Sequence, residues 1–263
     1  MSPAVFSVFA AVAAGLAGLV LGSFVTVVVY RVPRDESLVR PRSRCPGCGE
    51  QIRAVDNIPV LSWAVRRGRC HSCGEPISLR YPLTELASGA LWVIAFVQYG
   101  DDLYVALMMA LFFTLLLAVS LIDLEHKLIP NRITYPGVAF FAVMVAFGAI
   151  LSLGPTVLGA VLGFVAYGGV LLAVALIYPK GMGMGDVKLV ALIGLVLGSL
   201  GLQLVAVAAI AGFFLGGIGG IVAMLSGAGR RGVMPFGPSL ALGAVFSALF
   251  GAQVADWYLA LLR

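Results

Sequence analysis

The sequence predicts an all-α, polytopic membrane protein of about eight transmembrane helices with one small polar insert, and three observations carry that expectation. Of the 263 residues, 61% are hydrophobic and only 11% charged, against about 25% charged residues in soluble domains. The apolar residues gather into long runs, and the charges gather in the breaks between them. A bilayer-spanning helix needs about 20 mainly apolar residues, which places spans at roughly 4–29, 83–99, 103–122, 135–153, 156–178, 187–200, 202–226 and 238–260. The sixth of these is short.

The first run opens with "MSP" and lacks a basic n-region, so it reads as a span rather than a cleavable signal. The net charge of +5 does not mark a nucleic-acid binder, because the basic residues follow topology. With the N-terminus outside and eight spans, the inside segments are 30–82, 123–134, 179–188 and 227–237. They hold every Lys and Arg except Arg263, including Lys180, Arg230 and Arg231. The outer loops "QYGDD", "SLGP" and "GSLG" hold none, as the positive-inside rule requires.

Residues 31–82 break the apolar pattern with ten of the 17 basic residues and all 4 cysteines. The chain therefore divides into a first transmembrane helix (1–30), a cytoplasmic insert (31–82) and a membrane domain (83–263). Within the insert, "CPGC" (Cys45, Cys48) and "CHSC" (Cys70, Cys73) are two CxxC pairs separated by 21 residues, close to the spacing of a four-thiolate zinc site. Four sulfur ligands leave no open position for water, so such a zinc is structural. Two disulfides are the alternative, which a reducing cytoplasm disfavours. His71, inside the second pair, reads as a surface residue beside a complete ligand set.

Elsewhere no internal repeat at a fixed period stands out. Glycines four apart inside spans, Gly159/Gly163, Gly194/Gly198 and Gly212/Gly216, fit close helix packing.

Of the 12 acidic residues, eight fall in loops, in the insert or near the outer end of the last span. Glu85, Asp123, Glu125 and Asp186 adjoin inner span ends, where burying an acid is expensive unless it is partnered or neutral. Asp123 ends the third span in "SLIDLEHKLIPNRITYP", and Asp186 opens the sixth in "GMGMGDVKL". Two carboxylates at one depth can share a proton, one acting as general base on water and the other as general acid on a peptide. Snorkelling acids paired with Lys127 and Lys188 fit the same residues. The helix dipole favours the charge on Asp186, before a helix N-terminus, and the proton on Asp123, near a C-terminus. No HExxH or GxSxG motif offers a competing hydrolytic site. His126 reads as a boundary residue, and Glu125 as pointing elsewhere on the helix.

"GSFVTVVVYRVP" (22–33), the two CxxC pairs, "DNIPVLSW" (56–63), "RGRCHSCGEPISLRYPLTEL" (67–86), "LIDLEHKLIPN" (121–131), "GMGD" (183–186) and "PFGPSLALGA" (235–244) together resemble the type IV prepilin leader peptidases. Some members of that family are also N-methyltransferases. One departure is Thr26, where the family commonly has Asn. The resemblance implies that Asp123 and Asp186 are catalytic, with Gly183 and Gly185 in a substrate loop. It implies cleavage of a basic leader from prepilins or pseudopilins of pilus and type II secretion systems, in the bacterial inner membrane, with the active site at the cytoplasmic boundary. It further implies methylation of the new N-terminus from S-adenosylmethionine, with Gly68 and Glu85 as the methylation-associated candidates. Without the resemblance, Gly68 is a turn before a knuckle and Glu85 a helix-start acid. Gly181, Gly183 and Gly185 either admit a substrate backbone or turn the chain. A peptidase without methylation, a proton-coupled transporter or a zinc-ribbon scaffold are the competing readings. The expected partners are prepilin substrates and lipid, with no nucleic acid; oligomeric state has no sequence signature here.

Overall fold

The computed structural model describes residues 3–179, 183–225 and 235–262; Lys180, Gly181, Arg230, Arg231 and Arg263 lie outside them. All eight apolar runs become helical. In chain order the helices are α1 (Pro3–Arg31), α2 (Leu61–Val65), α3 (Arg80–Tyr99), α4 (Leu103–His126), α5 (Asn131–Ile150), α6 (Val157–Gly163), α7 (Gly169–Ile177), α8 (Met184–Leu200), α9 (Leu202–Leu225) and α10 (Gly237–Leu261). Among the described residues there is no β-strand longer than an isolated bridge.

Six helical stretches are long and apolar enough to cross a membrane: Val8–Arg34, Leu103–His126, Asn131–Ile150, Val157–Ile177, Leu202–Leu225 and Gly237–Leu261. The chain is thus a multi-pass membrane protein. Two of the eight expected spans fall outside this set for local reasons. Helix α3 opens on the polar turn Arg80–Tyr81–Pro82 and carries Glu85, whereas α8 has only 17 residues. Helix α8 is also buried on every side from Leu189 to Ser199, the mark of a helix enclosed by protein.

The chain forms two compact units, 1–118 and 119–263. In the first, α1 seats α3 through small residues. A β-carbon at Gly18 would lie 2.8 Å from the Cα of Gly89, and one at Gly22 would lie 2.7 Å from the Cα of Glu85, so the backbones touch where only glycine allows it. The Trp92 indole N–H donates to Thr114 Oγ1 at 2.8 Å, tying α3 to α4. At the end of α1, the buried Arg31 donates to the carbonyls of Ser37 and Pro41, both at 2.7 Å, and so folds the start of the insert back onto the helix.

The insert does contain a repeat. "RCPGCGEQI" (44–52) and "RCHSCGEPI" (69–77) fold alike. Each places its first cysteine N–H on a glutamate carbonyl, Cys45 to Glu50 at 2.9 Å and Cys70 to Glu75 at 2.8 Å. Each is closed by one antiparallel bridge, Arg44 with Gln51 and Arg69 with Pro76. The unit is nine residues long and occurs twice, too little for a periodicity search.

The second unit is built around α8. Helix α6 runs along it with Gly159 and Gly163 facing Gly198 and Gly194; a β-carbon at Gly198 would come 2.5 Å from the Gly159 carbonyl oxygen. The N–H and hydroxyl of Thr156 both donate to the Ser199 carbonyl, at 2.8 and 3.1 Å, joining the start of α6 to the end of α8. The expected single span over 156–178 is interrupted by a π-helical turn at Phe164–Gly168. There Gly168 rides over Ala191, whose Cβ would lie 2.7 Å from an added methyl. Helices α9 and α10 meet at Gly212 and Gly243, and Ser247 Oγ donates across them to the Leu204 carbonyl at 2.6 Å.

Candidate active site and cysteine cluster

Three helix ends converge in the second unit. Asp123 lies one turn before the end of α4 and is 5% exposed. Its Oδ2 accepts the N–H of Gly237 at 2.8 Å. Gly237 is the first residue of α10, and Pro238 follows it, so this N–H is one of the helix-terminal donors without an intrahelical partner. A side chain at 237 would obstruct the contact: a β-carbon would sit 2.7 Å from that same oxygen. Phe236 fixes the approach by packing on Phe213 of α9 with ring centroids 5.5 Å apart and against Gly216.

Asp186 sits in the first turn of α8. Its N–H donates to the Gly183 carbonyl at 3.1 Å, and its carboxylate lies within electrostatic range of Asp123. The two acids therefore share one electrostatic site. Lys188 donates to Asn131 Oδ1 at 2.6 Å and lies 4.8 Å over the Tyr135 ring, which anchors α8 to the start of α5. Among the described residues neither Lys188 nor Lys127 forms a salt bridge with Asp123 or Asp186. The interfacial ion pairs considered as the alternative to a dyad are therefore not made. Asp123 also faces a helix N-terminus, that of α10, so the dipole argument that put the charge on Asp186 no longer separates the two acids.

The glycines before Asp186 have identifiable neighbours. Gly183 caps α8 in extended conformation, and its missing β-carbon would lie 3.1 Å from Asp186 Oδ2. Gly185 packs against Ile129, where a methyl would be 2.9 Å from its Cβ. Gly183 thus keeps space beside Asp186, whereas Gly185 lets the start of α8 approach Ile129; neither adopts left-handed backbone. Glu125 and His126 lie 3.7 Å apart and partly exposed, and Glu125 itself is exposed. Gly237 is the contributor to this site that the sequence reading did not single out; the signal was "FGP" at the start of an apolar run.

In the first unit the four cysteine sulfurs lie within 4.8 Å of one another. None is in a disulfide. Zinc–sulfur bonds of about 2.3 Å in a tetrahedron require sulfurs about 3.8 Å apart, and Cys45 Sγ and Cys73 Sγ are 3.8 Å apart. The donor set thus fits a tetrahedral thiophilic cation. Gly49 and Gly74, at φ 71° and 73°, turn the chain after each pair. Backbone N–H groups of Cys73 and Ser72 hold the Cys70 thiol down at about 7. At Cys73 the Glu75 N–H is outweighed by desolvation and the three neighbouring sulfurs, which push the thiol up to about 12. Four sulfurs this close cannot all ionise without a cation among them. His71 stays outside the set and meets Arg66, which also binds Asp56.

Gly68 and Glu85 occupy defined places in the same unit. Gly68, at φ 67°, lies under the Trp63 indole, 2.8 Å from where its β-carbon would be, while that indole donates to the Ile77 carbonyl at 3.0 Å. Glu85 is only 8% exposed, and its Oε2 accepts the Val60 N–H at 2.7 Å. It is a buried acid receiving a loop, beyond the helix-start role its position implied.

Comparison with known proteins matches residues 16–99 to the bacterial peptidase A24 N-terminal domain and residues 110–221 to the type IV leader peptidase family. A prepilin leader peptidase/N-methyltransferase of Dichelobacter nodosus is 37% identical, covering 93% of each chain. One of Bacillus subtilis (strain 168) is 35% identical over 92% of this chain and 95% of its own. One of Burkholderia pseudomallei (strain 1026b) is 38% identical over 89% and 83%. No solved structure matches significantly. With both domains matched in order and relatives aligned along nearly their whole length, the chain belongs to the type IV leader peptidase family.

Proposed function

We propose that this protein is a membrane aspartic endopeptidase that removes the leader peptide from type IV prepilins or pseudopilins and then methylates the new N-terminus from S-adenosylmethionine. The observation that carries the reading is that Asp123, held by the start of α10, lies within electrostatic range of Asp186 at the start of α8. One carboxylate takes a proton from water, whose oxygen attacks the scissile carbonyl. The other gives its proton to the carbonyl oxygen and later to the leaving amine. Gly183 leaves room for an extended substrate backbone beside Asp186, and Gly185 lets the start of α8 close on Ile129. The charge distribution favours an N-terminus outside the bacterial inner membrane and a dyad at the cytoplasmic boundary, where a basic leader would meet it. Cys45, Cys48, Cys70 and Cys73 would hold a structural zinc that ties the two halves of the insert together. Gly68 and Glu85 belong, in this reading, to the methyl-transfer half.

Purified protein in detergent, a prepilin substrate and labelled S-adenosylmethionine test both halves. Asp123→Asn and Asp186→Asn are each expected to lower cleavage by about 100-fold or more. Full cleavage by either variant would overturn the peptidase assignment.

A further inference from the structure

Glu85 is surrounded by features that its helix alone does not explain. The carboxylate is buried, and one oxygen is used by the Val60 N–H. Among the described residues the other oxygen has no hydrogen-bond partner and the group forms no salt bridge. The buried cation of the neighbouring helix, Arg31, is committed to the Ser37 and Pro41 carbonyls instead. The second oxygen, unlike the first, is open to solvent, so the carboxylate offers a fixed anionic acceptor to an incoming cation that no described residue supplies.

A second polar group is the i+3 neighbour of Glu85 on the helix surface. Ser88 is one turn further along α3, fully buried, and its hydroxyl has no partner. Both residues abut Gly22 of α1, whose added β-carbon would lie 2.7 Å from the Cα of Glu85 and 2.9 Å from the Cβ of Ser88.

The loop that meets Glu85 is strained. Val60 has φ 59° and ψ −49°, and the Leu61 N–H closes back on the Pro59 carbonyl at 2.5 Å. That is a γ-turn of the rare, strained hand, with a β-branched residue at its centre, where φ > 0 is least tolerated. Strain of this kind costs about 1–3 kcal/mol and persists only where surroundings impose it. Here the effect is to aim one N–H at Oε2 and hold the carboxylate in a fixed orientation.

We propose that Glu85, with Ser88 beside it, is the seat for the newly exposed α-ammonium of the cleaved substrate chain and the base that takes its proton during methyl transfer. This rests on the methyltransferase reading above. A primary ammonium supplies the missing charge and N–H donors for both the free carboxylate oxygen and the Ser88 hydroxyl. One ammonium proton passes to Glu85, which frees the nitrogen lone pair. That pair forms the N–C bond to the methyl of a sulfonium donor as the C–S bond breaks; the thioether leaves with the C–S electrons, and Glu85 returns its proton to solvent. Glu85 is thereby a catalytic residue of methyl transfer, and Val60 a positioning residue acting through it.

The test uses the full-length protein in detergent with a synthetic, already processed pilin N-terminal peptide and labelled S-adenosylmethionine, so that methylation is read independently of cleavage. Uncut prepilin is assayed in parallel. Glu85→Gln keeps an oxygen for the Val60 N–H but removes the charge and the base. It is expected to lower kcat/KM for methyl transfer about 100-fold and at least about 30-fold more than it lowers cleavage. Glu85→Asp should recover part of that loss, and Ser88→Ala should raise KM for the peptide severalfold. On the wild-type protein, N-acetylated processed peptide should inhibit at least about 10-fold more weakly than the free-amine peptide binds. Equal inhibition, methyl transfer by Glu85→Gln within about threefold of wild type, or parallel loss of both activities would overturn the assignment while leaving the methyltransferase reading intact. A wild-type protein that cleaves but transfers no methyl would overturn both.

Discussion

Replacing Gly237 with alanine tests the dyad with a single methyl group. The added β-carbon would lie 2.7 Å from Oδ2 and 3.2 Å from Cγ of Asp123, where ordinary contact begins at 3.4 Å. Phe236, packed on Phe213 and Gly216, holds the start of α10 in place, so the carboxylate is the group that moves. It must retreat by about 0.7 Å, which lengthens the 2.8 Å bond from the Gly237 N–H to about 3.5 Å, beyond normal hydrogen-bond range. A hydrogen bond to a charged acceptor contributes about 1.5–3 kcal/mol, and misplacing a reacting group by ~1 Å can cost about 100-fold. We therefore expect kcat for leader cleavage to fall about 10- to 100-fold with a smaller change in KM. Alanine fits the backbone of a first helical turn, so the thermal midpoint should move little. The assay is initial-rate cleavage of prepilin by purified protein, with melting curves as the control. Cleavage within threefold of wild type would refute the idea that this N–H positions Asp123.

The cysteine cluster should bind about one zinc per chain, measurable by mass spectrometry of bound metal. Zinc must displace protons from Cys73, held up near 12, and from Cys48, which desolvation and the Cys45 and Cys70 sulfurs also raise, whereas Cys70, near 7, is largely ionised above neutrality. Affinity should thus climb with pH by about 100-fold or more per unit between about 7.5 and 8.5, and metal should be lost on acidification; a flat profile in chelator competition would contradict this. Gly68→Ala must place a β-carbon at φ 67° against the Trp63 ring, at a cost of about 1–2 kcal/mol for the backbone alone, so zinc should leave that variant faster under chelator. Infrared spectra of Asp123→Asn and Asp186→Asn should each retain part of the protonated-carboxyl band, because both acids face helix N-termini; complete loss in one variant alone would restore an asymmetric pair.

The membrane helices were legible because bilayer thickness sets a common length for spans, and all eight apolar runs became helical, six of them long and apolar enough to cross a membrane. The cysteine cluster was legible from spacing, since a CxxC turn brings two sulfurs together by local geometry alone. Asp123 and Asp186 could be matched by depth, which topology supplies. Gly237 could not, because its contribution is a backbone N–H and an absent side chain, properties that every glycine at a helix start shares. The π-helical turn at Phe164–Gly168 answers to Ala191 on another helix and leaves no pattern of its own. Glu85 looked like a helix-start acid because Val60, which it holds, lies 25 residues away in a strained turn that no propensity anticipates.

The hydrogen bond from Gly237 to Asp123 has a stereochemical consequence for the shared proton. An oxygen that already receives an N–H is a poorer place for an acidic hydrogen, which would contend with that donor for its lone pairs. With Oδ2 engaged at 2.8 Å, the proposed mechanism puts the hydrogen that Asp123 carries on Oδ1 for as long as that bond is held. The backbone thereby distinguishes two chemically identical oxygens, and in the proposed mechanism a substrate carbonyl would have one of them, rather than either, to find.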